Sequence, residues 1–478
     1  MIPIKDKTAP TGSSNGTSTY AKPKAATCPE QPLSPGMRGL FSLMKPNGRA
    51  GDHMQGSGTE SGGGPQRKST SRRGLLGLAT GAALAAAGLA ARSADGGRDA
   101  VTAADAGDSF GAVPADAVVN QVTAPPASGV LGANYNESLD MIDYAELGAV
   151  SATWMRGFYL MSDADSGDPA TQTGMATLLQ ASSSGYGTVL STKFQYHDTT
   201  LPAPGTAAMD TALTRLDKVL AAVLGKVDIV TIGNEPFYET SQADRTASAI
   251  NDFYEALAQH AIQYRSTYFG TTCKTVFYMG ALNGLEDPAN QDAQTERWMT
   301  FVAGNADIAG TDIHPHVAGI DAAQKYLDYV LPYLRADQRF LATEFSLIQL
   351  WKQHMADPVD PSFTSAYGTP AGTPVWQVIH NAANNPFTEQ KWNDFLLSNT
   401  WFANHKTFIT NEIARLRGTG KLAVAGYGIS QGAPIRGFGA DSSPWVLNSV
   451  FCPYVCQVGT GGLPGRDRTW AASFRDAQ

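Results

Sequence analysis

Two glutamates close two apolar runs, and as a pair they could carry acid–base chemistry. Glu235 sits near the end of Val227–Phe237, which reads V-D-I-V-T-I-G-N-E-P-F. Ile, Val and Thr favour a strand, and a short apolar run bounded by Gly and Pro suits one covered on both faces. Glu344 lies in Phe340–Ser346, F-L-A-T-E-F-S, behind another apolar start. Taken singly, each residue is as well explained by a capped strand end or a surface carboxylate. Brought to one rim, they would supply what glycosidic cleavage requires. One carboxyl protonates the departing oxygen, and the other attacks the anomeric carbon or activates water.

The elements that must position them alternate from Gly129 onward. Strand patterns cover Val130–Tyr135, Ala152–Tyr159, Thr188–Tyr196, the run ending at Glu235, Thr275–Ala281, Ile308–Ile313, Arg339–Thr343 and Leu422–Tyr427. Between them lie helical patterns such as Leu216, Val219, Leu220, Val223 and Leu224, spaced i, i+3, i+4, i+7, i+8. Phe345–Thr388 forms a long insertion, read as a folded cap, a cleft wall or a lid. One long helix is expected from about Gln390 to Arg417. This alternation predicts an α/β fold, a (β/α)8 TIM barrel with a long insertion after the seventh strand. A doubly wound open sheet would alternate likewise, but no Gly-rich dinucleotide or phosphate fingerprint follows an early strand. In the barrel, Glu235 follows the fourth strand and Glu344 the seventh, at the rim where such barrels place their chemistry.

Composition bounds the partners. Of 478 residues, 42% are hydrophobic and 16% charged, which fits a globular enzyme with a disordered appendage. A formal net charge of −8 argues against nucleic acid or an anionic membrane surface. Four cysteines are too few for a disulfide scaffold. Cys452 and Cys456 are close enough for a local disulfide, with a free pair or simple packing equally consistent, and Cys273 reads as unpaired. No cofactor motif is present.

The N-terminal part does not read as fold. Residues 1–70 are rich in Gly, Ser, Thr, Pro and Lys without apolar periodicity, an expected disordered extension. Residues 71–94 open on Ser71-Arg72-Arg73-Gly74-Leu75-Leu76 and continue into a short Gly/Ala/Leu stretch. This resembles a twin-arginine export signal, which implies a secreted or periplasmic bacterial protein with no stable membrane association after cleavage. A buried Ala-rich helix and a lasting anchor are the other readings of that stretch. Met54 would give the signal a more ordinary leader than Met1. Residues 95–128 read as a linker, and 129–478 as the barrel.

The strand-end residues resemble the retaining clan A glycoside hydrolases over roughly Gly129–Phe451, with families 5 and 39 among the comparisons. The match rests on Asn234-Glu235-Pro236 after the fourth strand and Glu344 after the seventh. The resemblance implies that Glu235 is the acid/base and Glu344 the nucleophile. It implies further that Arg156, in Trp154-Met155-Arg156-Gly157, lies beside the nucleophile, and that Asn234 bonds the sugar 2-hydroxyl. His314, or else His316, in Asp312-Ile313-His314-Pro315-His316, would lie near the nucleophile or the sugar. Many members carry a Trp platform at the eighth strand. Here that strand ends Gly426-Tyr427-Gly428, so Tyr427, or Trp351 in the insertion, is the expected platform. Glu137, Asp198 and Glu239 also lie near strand ends, as subsite contacts or, more simply, as solvated loop charges. The implied substrate is a β-linked glycan, cleaved by water or transferred to another sugar. Two rival functions stand beside this one. A non-catalytic carbohydrate-binding barrel would need neither glutamate. A metal-dependent barrel hydrolase would use His314 and His316, although the sequence shows no carboxylate or further His at convincing ligand spacing.

Overall fold

The computed structural model describes residues 122–431, 438–459 and 461–478. The extension, the twin-arginine segment, the Met54 start and most of the linker lie outside them. Eight parallel strands close in sequence order: β1 (Val130–Tyr135), β2 (Trp154–Leu160), β3 (Gly187–Lys193), β4 (Ile229–Ile232), β5 (Val276–Asn283), β6 (Ile308–His314), β7 (Arg339–Ala342) and β8 (Leu422–Gly428), with β8 pairing back onto β1. The chain is a (β/α)8 TIM barrel, as its alternation predicts.

Successive strand residues face opposite ways, so each strand feeds two cores. Val130, Trp154, Val189, Ile229, Tyr278 and Leu341 pack together as one cluster inside the barrel. Their neighbours, among them Leu131, Met155, Leu190, Val230, Phe277 and Phe340, join the large layer between strands and helices. Trp154 fits only because its β3 partner is Gly187, where a Cβ would lie 2.1 Å from the indole. Above this floor the inward positions turn polar, and the site begins there.

The insertion after β7 folds into helices Ile348–Gln353, Pro361–Tyr367 and Val375–Asn384. The second starts on Asp360, which accepts from Ser362 N, and stops at Gly368 with φ +62°. The expected single helix from Gln390 to Arg417 is instead Glu389–Ser398, a turn at Thr400–Ala403, and Phe408–Gly418. Asn399 causes the first break. Its extended backbone leaves the helix while its side-chain amide donates to Phe395 O at 2.6 Å, closing off the helix end. Among the described residues no helix is long and apolar enough to cross a membrane.

Candidate active site

The rim chemistry is built from polar residues on inward positions at the C-terminal ends of the strands. Arg156 of β2 stands opposite Asn134 of β1 in register, and its side chain is 1% exposed. Its guanidinium donates through Nη1 to Glu344 Oε1 at 2.5 Å and to Asn134 Oδ1 at 3.0 Å. Nε donates to Ser191 Oγ at 3.0 Å, and Nη2 donates to Asn234 Oδ1. A planar fork with four acceptors is locked in orientation, which a lysine could not reproduce. Asn136 adds a longer contact, Nδ2 to Glu344 Oε2 at 3.4 Å.

Glu235 reaches the same space from β4. The strand ends at Ile232, and Gly233 turns with φ +98°. Glu235 itself adopts φ +47°, ψ +53°, and Pro236 then opens the turn Pro236–Glu239. A left-handed backbone at a non-glycine residue costs on the order of 1–3 kcal/mol, and such strain collects at functional positions.

His314, at the end of β6, joins the two carboxylates. It is fully buried. Its Nδ1 lies 3.1 Å from Glu235 Oε1 and 3.8 Å from Glu344 Oε1. Its Nε2 bonds Thr343 Oγ1 at 2.9 Å, and that hydroxyl donates to Asp312 Oδ2 at 2.5 Å. Burial alone would lower the His314 pKa. The charges of Glu344 and Asp312 and the bonds to Asp312 and Glu235 overcome it and raise the pKa to about 9. His316 is seated by Ser346 Oγ at 2.8 Å on Nδ1. Its Nε2 points between the glutamates, 3.6 Å from Glu344 Oε2 and 3.8 Å from Glu235 Oε1.

The two carboxylates differ in environment. Burial pushes Glu344 up, but the charges of His314 and Arg156, with the His316 bond, hold it well below the usual carboxylate range. Burial also pushes Glu235 up. Its His314 hydrogen bond and that imidazolium's charge bring it below its ordinary value, against an opposing push from Glu344. The free site therefore holds one proton on the His314–Glu235 pair, resting on the imidazole. Glu235, His314 and His316 also offer one ligand atom each within 4.8 Å of one another, the one such group among the described residues. Glu235 thus supplies the carboxylate that sequence spacing could not show beside His314 and His316.

No protein-family model matches the chain, and no curated protein matches it. Solved structures do. Saccharomyces cerevisiae Gas2p in complex with laminaritriose and laminaritetraose is 10% identical, over 73% of this chain and 64% of its own, with a TM-score of 0.36. CbXyn10B in its native form is 12% identical, over 73% of this chain and 95% of its own, with a TM-score of 0.41. The chain thus spans less than two thirds of the Gas2p structure it matches. The barrel assignment rests on the strand pairing itself.

The structure gathers Glu235, Glu344, Asn234, Arg156, His314 and His316 into one site. It removes the two expected platforms. Tyr427 falls on the outward phase of β8 and is fully buried against Phe345 and Trp470. Trp351 is buried too, with Nε1 donating to Asn448 Oδ1 at 2.8 Å and its ring packed on Trp401 and Phe402. An aromatic beside the site comes instead from Trp445, in the turn Trp445–Asn448 after β8. It is half-buried, with its ring 5.1 Å from that of His316 at 83°. Glu239 is likewise no solvated charge. It is buried, 2.7 Å from Lys193 and 3.5 Å from His197. Asp198 is exposed, and Glu137 accepts from Tyr454 Oη at 3.1 Å. Cys452 and Cys456 are free, buried thiols.

Sequence reasoning missed Asn134, Ser191, Asp312, Thr343 and Trp445. The first four carried a usable signal, being polar residues at the ends of otherwise apolar strands. Trp445 carried none, because it lies in an irregular segment well past β8.

Proposed function

We propose that the chain is a retaining β-glycoside hydrolase. One observation carries this reading: Glu235 and Glu344 meet at His314 Nδ1 on the barrel rim, with Glu344 alone bridged to Arg156. The two legs of 3.1 and 3.8 Å keep those oxygens within about 7 Å of one another, which admits the ~5–5.5 Å of a retaining pair. Glu344, held ionised, attacks the anomeric carbon while the bond to the leaving oxygen breaks. Glu235 delivers a proton to that oxygen, having received it from His314 Nδ1 across their hydrogen bond. A glycosyl ester forms on Glu344. Water then attacks the anomeric carbon, Glu235 takes the water's proton, and the ester bond to Glu344 breaks. In this reading Asn234, held by Arg156, bonds the sugar 2-hydroxyl, and Trp445, beside His316, meets a ring face. The substrate class is a β-linked glycan, and export through the twin-arginine route is part of the same proposal.

The test is a screen on β-glucans, mannans, galactans and xylans, followed by two variants. Glu344→Ala abolishes turnover of glycans and activated aryl glycosides alike, and added azide restores the aryl reaction as a glycosyl azide. Glu235→Ala still forms the glycosyl ester from the activated aryl glycoside, whose leaving group needs no proton, in a burst followed by slow release, and it stops glycan cleavage. Near-normal glycan turnover by either variant refutes the roles.

A second reading is favoured by the Glu235, His314 and His316 cluster, whose ligand atoms lie within 4.8 Å. Asp312 and Thr343 behind His314, and Ser346 behind His316, would orient the imidazoles as outer partners of a metal site do. Under it the chain is a metal-dependent hydrolase. Metal analysis of the purified protein, and activity after chelation, separate the two.

A further inference from the structure

Glu235 leaves the barrel in a backbone conformation that its own strand does not support. The ladder of β4 ends at Ile232, short of Glu235. Glu235 has φ +47° and ψ +53°, and a non-glycine residue stays left-handed only where its surroundings over-determine it. His314 holds the tip of the side chain, with Nδ1 3.1 Å from Oε1. The backbone needs a restraint of its own, and the turn Pro236–Glu239 supplies it.

That turn is tied at both ends. At its start, Tyr238 N and Glu239 N both donate to Glu235 O at 2.8 Å. At its finish, Glu239 is fastened to the end of β3 and the segment that follows. Tyr196 N donates to Glu239 O at 2.8 Å, and Ser241 N donates to Tyr196 O at 3.0 Å. His197 meets the Tyr238 ring edge-on, at 5.8 Å and 87°. The remaining tie is ionic. The Glu239 side chain is buried, with Oε1 2.7 Å from Lys193 Nζ and Oε2 3.5 Å from His197 Nε2. Lys193 is the last residue of β3, and its ammonium also lies 4.6 Å from the centre of the Phe158 ring, which seats it from β2. Apolar side chains would fill this space with as much stability as a buried ion pair. What the pair adds is direction, because it sets one atom of the turn against one atom of β3.

We infer that Lys193 and Glu239 are positioning residues for the proton donor: their ion pair clamps the turn Pro236–Glu239 to β3 and so holds Glu235 in the left-handed backbone that carries its carboxyl to His314. The inference rests on the glycosidase reading. It confines the damage from losing the clamp to the steps in which Glu235 moves a proton.

The probes are 2,4-dinitrophenyl and phenyl β-glycosides of glucose, mannose, galactose and xylose and of their β-linked disaccharides, with kcat/KM reporting formation of the glycosyl ester. Dinitrophenolate leaves without a proton, whereas phenolate needs one. Lys193→Met and Glu239→Gln each lower kcat/KM on the phenyl glycoside about tenfold and leave it unchanged on the dinitrophenyl glycoside. Each single change strands the other residue's charge. The double variant Lys193→Met/Glu239→Gln strands none, so it keeps the test open should a single variant fail to fold. Its loss matches that of a single variant rather than their product, because all three remove one clamp. A double variant that loses equally on both leaving groups, or loses nothing on the phenyl glycoside, overturns the clamp. So does a loss carried wholly by a raised KM, which would make Lys193 a substrate contact. Glu235→Ala is measured beside them: a kcat/KM loss there that ignores the leaving group overturns the parent reading, and the clamp with it.

Discussion

The proton held between His314 and Glu235 has consequences for both stability and rate, and His314→Gln exposes them. The folded imidazole has a pKa of about 9 against an ordinary value near 6.5. A rise of two to three units, at 1.36 kcal/mol each, corresponds to about 3 kcal/mol of folding stability. Because the pKa is raised, that contribution is complete below about pH 6.5 and is lost as pH climbs through 9. Urea unfolding of the wild type between pH 6 and pH 10, with chelator present, therefore shows a decline that His314→Gln lacks. The variant is less stable throughout the acidic half of the range, since three buried carboxylates lose their shared cation. The rate follows the same proton. The basic limb of kcat/KM reports the loss of the proton from the free His314–Glu235 pair, so it falls near pH 9 in the wild type and at lower pH in the variant. Two stability curves that run parallel from pH 6 to pH 10 would refute the buried imidazolium. A wild-type basic limb near pH 6 would refute its role as the source of the acid's proton.

Two further outcomes follow from the geometry. Arg156→Lys keeps the charge but loses the fork that reaches Asn134, Ser191, Asn234 and Glu344 together. It costs on the order of 1–3 kcal/mol in thermal or urea unfolding and moves the acidic limb of kcat/KM upward, and an unmoved limb would show that Arg156 does not hold Glu344 ionised. Gly426→Ala places a Cβ 2.3 Å from Thr343 O, directly before Glu344. The strain is about 1–3 kcal/mol, read as a lower Tm, and the displaced nucleophile slows turnover about a hundredfold; a variant with wild-type Tm would contradict the packing.

The barrel was legible because each strand is a short, mostly apolar run between Gly, Pro or polar breaks, and every strand has its counterpart in the sequence pattern. The bounds of β1 match the pattern, and the other strands shift by one to three residues at an end, most in total at β4. Its apolar pattern begins at Val227, while the ladder covers only Ile229–Ile232 before Gly233 and Glu235 turn out of it. The helix after the insertion was misjudged for a local reason. Its apolar spacing continues across Asn399, and only the asparagine's own bond to Phe395 O reveals the break.

Tyr427 shows what strand parity decides at the rim. Counting inward positions along β1 gives Val130, Gly132 and Asn134, and Asn134 pairs with Gly428 while Gly132 pairs with Gly426. The inward places on β8 are therefore glycines, and Tyr427, one step between them, must face the helices. That exclusion was available from the sequence once the strands were aligned. Its corollary is physical rather than statistical. Close approach requires the two inward glycines, since a Cβ at Gly426 would lie 2.3 Å from Thr343 O and one at Gly428 2.5 Å from the Gln431 side chain, so an aromatic side chain reaching that side must come from a segment beyond the strand. Trp445 meets that condition by folding back against His316. Glu239 illustrates the opposite case. Its burial depends on Lys193 arriving from the end of β3, inside the mouth and against the Phe158 ring. No local pattern around Glu239 encodes that partner, because the ion pair exists only after the barrel has brought β3 and β4 side by side.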